Sequence, residues 1–85
     1  MEKIKGIRSK IDKIDYEISN LLIKRKDLVL EIGEFKKKQD KSIRNRKREK
    51  EIILNIKNKA KNKIEEKYLV GIFKAIIKKS RVIQK

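Results

Sequence analysis

The sequence contains no cysteine, no histidine and no proline, and only three of its 85 residues are glycine. Each absence narrows the possibilities. Without cysteine there are no disulfide staples, thiolate nucleophiles or zinc-thiolate sites, and a reducing compartment is allowed. Without histidine the commonest general base and metal ligand are gone, so any chemistry must run on carboxylates, cations, amides and hydroxyls. Without proline, and with little glycine, nothing punctuates the chain strongly and long helices are expected. No apolar run approaches the roughly 18 residues of a membrane span; the longest, Tyr68 to Phe73, has six. Met1 leads directly into charged, periodic sequence, with no secretory signal in view. The expectation is a soluble, cytoplasmic protein with no metal and no membrane partner. Its length allows one domain over residues 1–85, close to the limit at which a single copy buries enough surface to be stable alone.

What is abundant is positive charge. Lysine and arginine number 27 against 12 acids, a formal net charge of +15, which attracts anions whatever the fold. Lysine, isoleucine and asparagine are abundant together, and only six of the cations are arginine. Compositional drift onto a solvated surface therefore accounts for most of them.

Apolar residues set the helices. Ile4, Ile7, Ile11, Ile14, Ile18, Leu21, Leu28, Ile32 and Phe35 alternate in steps of three and four, the seam of a helix that packs on other helices. Leu22 and Val29 broaden the stripe on one flank. Helix 1 is expected over about residues 3 to 38, with Gly6 and Gly33 inside it at a cost of about 1 kcal/mol each. The polar stretch Gln39 to Arg44, which includes Ile43, is the first loop. Asn45 suits an N-cap, and helix 2 follows from about 46 to 60, with Ile52, Ile53, Ile56 and Ala60 inward. Asn62, with Glu65 three residues later, resembles a capping arrangement for helix 3. That helix is expected to bury Ile64, Tyr68, Leu69, Ile72, Phe73, Ile76, Ile77 and Ile83. A first helix of about 36 residues is roughly 54 Å long, whereas a compact chain of this size has a radius of gyration near 12 Å. Two shorter helices cannot cover such a stripe, so a second copy laying its long helix alongside is the simplest solution.

Several cations sit where a core should be. Between Leu21 and Leu28 the seam places Arg25, where a branched aliphatic is expected. A guanidinium there needs an anion and acceptors, or its desolvation costs several kcal/mol. Taken alone, a structural salt bridge or a register-setting polar residue is the simpler explanation. Arg8 and Lys36, however, share the strip of Leu22 and Val29, so three cations edge one apolar face. Lys36 lies roughly 16 Å along the axis from Arg25, close enough for two long side chains to hold one small dianion. Arg8 is about 25 Å away on the other side, and reaches that ligand only from a partner helix running antiparallel; a solvated face explains it equally well. Asn45, Arg48 and Glu49 share one face at the start of helix 2, as a cap and a surface pair also would. Ser80 and Gln84 place two neutral polar groups on the apolar face of Phe73 and Ile77, or lie on a frayed end. Together these intrusions outline an anion-lined pocket inside a helical bundle.

In their order along the chain these residues resemble a known family, the all-helical chorismate mutases. The likeness runs through Ile7-Arg8, Ile11-Asp12, Ile14-Asp15, Leu21-Leu22, Arg25, Leu28, Ile32-Gly33 and Lys36. It continues in Arg48-Glu49 and ends in Phe73, Ile76-Ile77, Ser80 and Gln84. No single motif is strong; the ordered set of polar positions is specific. The resemblance implies an all-α fold of three helices per chain, one long and two shorter, in an intertwined homodimeric bundle. It implies cofactor-free rearrangement of chorismate to prephenate, a step of aromatic amino acid biosynthesis, in two sites that each receive an arginine from the other subunit. Arg8 matches the donated arginine and Arg25 the in-chain one, the pair that would clamp the two carboxylates. Lys36 and Gln84 match the contacts to the ether oxygen, and Arg48, Glu49 and Ser80 match residues around the ring and its hydroxyl. Asn45 departs from the family, which usually has aspartate there; it can bond a hydroxyl but carries no charge.

Three rivals remain at this point, one of them a purely structural dimeric coiled coil, which leaves Arg25 on the seam and the order of Arg48, Glu49 and Gln84 unexplained. A lyase that removes pyruvate from isochorismate has a similar fold and pocket. A basic helical module binding RNA or DNA through phosphates fits the charge, against which stand the few aromatics, the lack of a reading motif and the cations on the apolar seam.

Overall fold

The computed structural model describes residues 1–42 and 44–84 as three helices: α1 (Glu2–Lys38), α2 (Arg46–Lys59) and α3 (Lys63–Ile83). There is no strand among the described residues. Ile43 of the expected first loop, and Lys85 at the end of the expected domain, lie outside them.

Local chemistry explains where the helices stop. At the end of α1 Asp40 adopts φ 54°, the left-handed conformation, and two backbone bonds close around it. Lys41 N–H donates to the Lys36 carbonyl at 2.8 Å and Asp40 N–H to the Lys37 carbonyl at 3.2 Å, the pairing of a Schellman stop. Lys36, Lys37 and Lys38 crowd the last turn, where cations oppose the helix dipole favourably. The α2 start is capped by Asn45, whose Oδ1 accepts from Arg48 N–H at 3.0 Å. At the α3 start Asn62 Oδ1 accepts from Glu65 N–H at 2.8 Å, while Glu65 Oε1 accepts from Lys61 N–H at 3.0 Å. The reciprocal bond thus reaches one residue before the cap.

Packing is uneven. The helix α2 lies along α3, while α1 meets α3 more sparsely, with Arg25, Val29 and Gly33 of its C-terminal half facing Ser80 and Gln84, and its backbone stays clear of α2. Ile77 is the one buried apolar side chain among the described residues. Ile52, Ile53, Ile56, Leu69, Val70, Phe73 and Ile76 are half-buried around it. The rest of α1 projects, giving extents of 56 × 26 × 15 Å and a radius of gyration of 16.2 Å, above the ~12 Å of a compact chain this long. Its seam is left open: Ile4, Ile7, Ile11, Ile14, Ile18, Leu21, Leu28, Ile32 and Phe35 are 45% to 63% exposed. Ile64, Tyr68, Ile72 and Ile83 of α3, expected to be buried, are exposed as well. The reason is geometric, because α1 runs past α3 instead of along it and leaves α3's other faces without a neighbour in the chain.

Candidate active site

Where the three helices meet they enclose a cleft of about 430 Å³. Its apolar wall is Leu28, Val29, Ile32, Ile52 and Ile77. Set into that wall are Arg25 and Lys36 from α1, Asn45, Arg48 and Glu49 from the start of α2, and Ser80 of α3 with Gln84, its C-cap. Seven of the eight residues singled out from the sequence therefore line one cavity. Arg8 does not: it is exposed on α1, about 25 Å along the axis from Arg25.

Several of these side chains are held before any ligand arrives. Arg25 Nη1 donates to Ser80 Oγ at 2.7 Å, and Ser80 Oγ donates to the Ile76 carbonyl at 2.7 Å. One of five guanidinium N–H donors is thus used for orientation. Gln84 Nε2 donates to the Val29 carbonyl of α1 at 3.3 Å, which fixes which way the amide faces, since the reversed amide would set oxygen against oxygen. Its Oε1 is buried without a hydrogen-bond partner. Gln84 comes this close because residue 33 is glycine: a Cβ there would lie 3.3 Å from Gln84 Cγ and 3.5 Å from its Cβ. Gly33 is the one buried residue of α1.

At the α2 end Asn45 serves as the cap and still lines the cleft. Arg48 pairs with Glu51 at 3.4 Å in an exposed contact. Glu49 has a cation at each oxygen, Arg44 Nη2 at 3.3 Å from Oε1 and Arg81 Nε at 3.3 Å from Oε2. Sequence reasoning passed over Arg81, although it carries the same signal as Arg25: an arginine one turn beyond Ile77 on an apolar face. It also read Gly33 as a weak point in a helix and as part of the family likeness, without its close approach to Gln84.

A larger groove of about 770 Å³ lies between α2 and α3 and shares Glu49, Ile77 and Arg81 with the cleft. Lys50, Lys57, Lys74 and Lys78 edge it, with no hydroxyl or amide side chain among its lining. Of these two, the smaller cleft is the one that combines cations, neutral donors and apolar walls, as small-molecule sites do. No group of His, Cys, Asp and Glu suited to a metal ion occurs among the described residues.

The model of the family described as Chorismate mutase type II matches residues 7–85. The chain belongs to that family. Among curated relatives, a bifunctional chorismate mutase/prephenate dehydratase of Buchnera aphidicola subsp. Schizaphis graminum (strain Sg) is 42% identical over 81 residues. That match takes in 94% of this chain but only 21% of the bifunctional relative. A chorismate mutase of Methanocaldococcus jannaschii is 33% identical over 86 residues, 100% of this chain and 87% of its own length. No solved structure matches. For a member of this family the three helices are the expected architecture, and the cleft lies within the matched span.

Proposed function

We propose that residues 1–85 form one chorismate mutase domain that rearranges chorismate to prephenate, in the cytoplasm and in the service of aromatic amino acid biosynthesis. The observation that carries this reading is the cleft, where Arg25, Lys36 and Arg48 stand beside Ser80 and Gln84 on an apolar wall in a chain of this family. The reaction suits those residues. It is a unimolecular [3,3] shift in which one C–O bond breaks as one C–C bond forms, and no atom, proton or electron enters or leaves.

Positioning and electrostatics are therefore the whole task. Chorismate reacts only when its enolpyruvyl arm lies over the ring. Arg25, oriented by Ser80, would grip one carboxylate, and the planar fork of a guanidinium makes that grip directional. Arg8 of the partner subunit would grip the other, which makes the active protein an intertwined homodimer with two shared sites. The open α1 seam supports that assembly, because so large an apolar stripe is not stable in water on its own. As the C–O bond breaks, negative charge grows on the ether oxygen. Lys36 would stabilise that charge, and the second N–H of Gln84 Nε2 would add a hydrogen bond without bringing a negative group near. Glu49, Asn45 and Arg48 would meet the ring and its hydroxyl.

Purified protein should consume chorismate in an ultraviolet absorbance assay and yield prephenate with no added cofactor. No consumption, or release of pyruvate from isochorismate in its place, would contradict the proposal.

A further inference from the structure

Arg81 is an arginine of the cleft for which the chemistry above has no use. It lies on α3 between Ser80 and Gln84 in neighbourhood, half-buried, with its Nε 3.3 Å from Glu49 Oε2. That Nε is buried and makes no well-formed hydrogen bond, so the carboxylate is the charge it answers to. Arg44, in the loop before α2, meets the other oxygen at 3.3 Å. Glu49 is thus tied on one side to the loop and on the other to α3, with its side chain 20% exposed.

Stability does not explain the arrangement well, because ion pairs with this much solvent contact contribute little. Ligand electrostatics explains it better. A fixed negative charge repels any anion entering the same cleft, yet a carboxylate is also a strong acceptor for a hydroxyl. Two guanidinium groups outweigh its single negative charge, leaving the trio net positive, while a lone pair remains on each oxygen. On the reading of the cleft as a chorismate site, we propose that Arg81 is a positioning residue. With Arg44, it outweighs the negative charge of Glu49 and holds its carboxylate in place as an acceptor for the ring hydroxyl of a dianionic guest. Specificity then follows at this corner: a dianion with a hydroxyl gains a hydrogen bond to Glu49 that one without it lacks.

The test compares wild type, Arg81→Met, Arg81→Lys, Glu49→Gln and the double variant Glu49→Gln/Arg81→Met. Calorimetric binding of prephenate and turnover of chorismate are measured separately. Arg81→Met should weaken prephenate binding and raise KM about tenfold with kcat changed by no more than about threefold, since a ground-state charge is lost. Arg81→Lys should keep most of the affinity, and the melting temperature should hardly move in either variant. In the double variant the Arg81→Met penalty should largely vanish, because an amide at position 49 needs no counter-charge. Equal binding by Arg81→Met and wild type, or additive losses in the double variant, would overturn the role of Arg81. A wild type that binds prephenate with this pattern but does not turn over chorismate would contradict the mutase reading and spare the pairing. A wild type that binds no prephenate at all would overturn both.

Discussion

At Gly33 an added Cβ would press within 3.3 Å of Gln84 Cγ, and two effects then oppose one another. Alanine improves helix propensity by about 1 kcal/mol, while Gln84 must back away from the Val29 carbonyl that fixes its amide. Gly33→Ala should therefore hold or gain stability in urea denaturation, yet lower kcat several-fold, as a misplaced transition-state donor does. Unchanged kcat would show that Gln84 can be displaced without harm. Lys36→Ala should cost more, about a hundredfold or greater in kcat with the fold retained by circular dichroism, because in the proposed mechanism the missing cation acts on charge that exists only in the transition state. Near-normal turnover would mean that Lys36 is not the group beside the ether oxygen. Arg25, Lys36, Ser80 and Gln84 were legible in the sequence because polar groups on an apolar stripe conflict with burial, and the conflict can be read from spacing alone. Gly33 and Arg81 were not. Each acts on one partner across helices, Gln84 from α3 and Glu49 from α2, and no periodicity within a single helix records such a meeting.

The helix ends carry their own chemistry. Asp40 holds φ 54°, a conformation in which side chains with a Cβ are strained by about 1 kcal/mol. Asp40→Gly should stabilise the chain by up to about 1 kcal/mol in chemical denaturation; a loss would show that the aspartate side chain compensates for the strain. Asn62→Ala removes the bond to Glu65 N–H and should cost about 1 kcal/mol, without changing KM, since Asn62 lies away from the cleft. The caps at Asn45 and Asn62 could be foreseen because asparagine before an apolar period has a known use. The end of α1 near residue 38 was foreseen as well, but not the left-handed Asp40 that makes the stop. Glycine, the usual residue for that turn, is missing, and only the broken period between Phe35 and Asn45 marks the loop.

At the scale of the whole molecule the overhang of α1 followed from counting: 37 helical residues outrun partners of 14 and 21. The expected burial of Ile64, Tyr68, Ile72 and Ile83 did not follow, because periodicity names a helix's apolar face but not the direction from which it is covered. With those faces and the α1 seam all open in a single chain, the 10.2 kDa protein should sediment at about twice its chain mass, as an isologous pair does. The most direct measurement mixes two variants, Arg8→Ala and Arg25→Ala, each inactive alone, after joint unfolding and refolding. Half of the dimers would then be hybrids holding one site with both arginines, so activity should return to about a quarter of the wild-type level. No recovery beyond the two variants measured separately would contradict a site built from both copies.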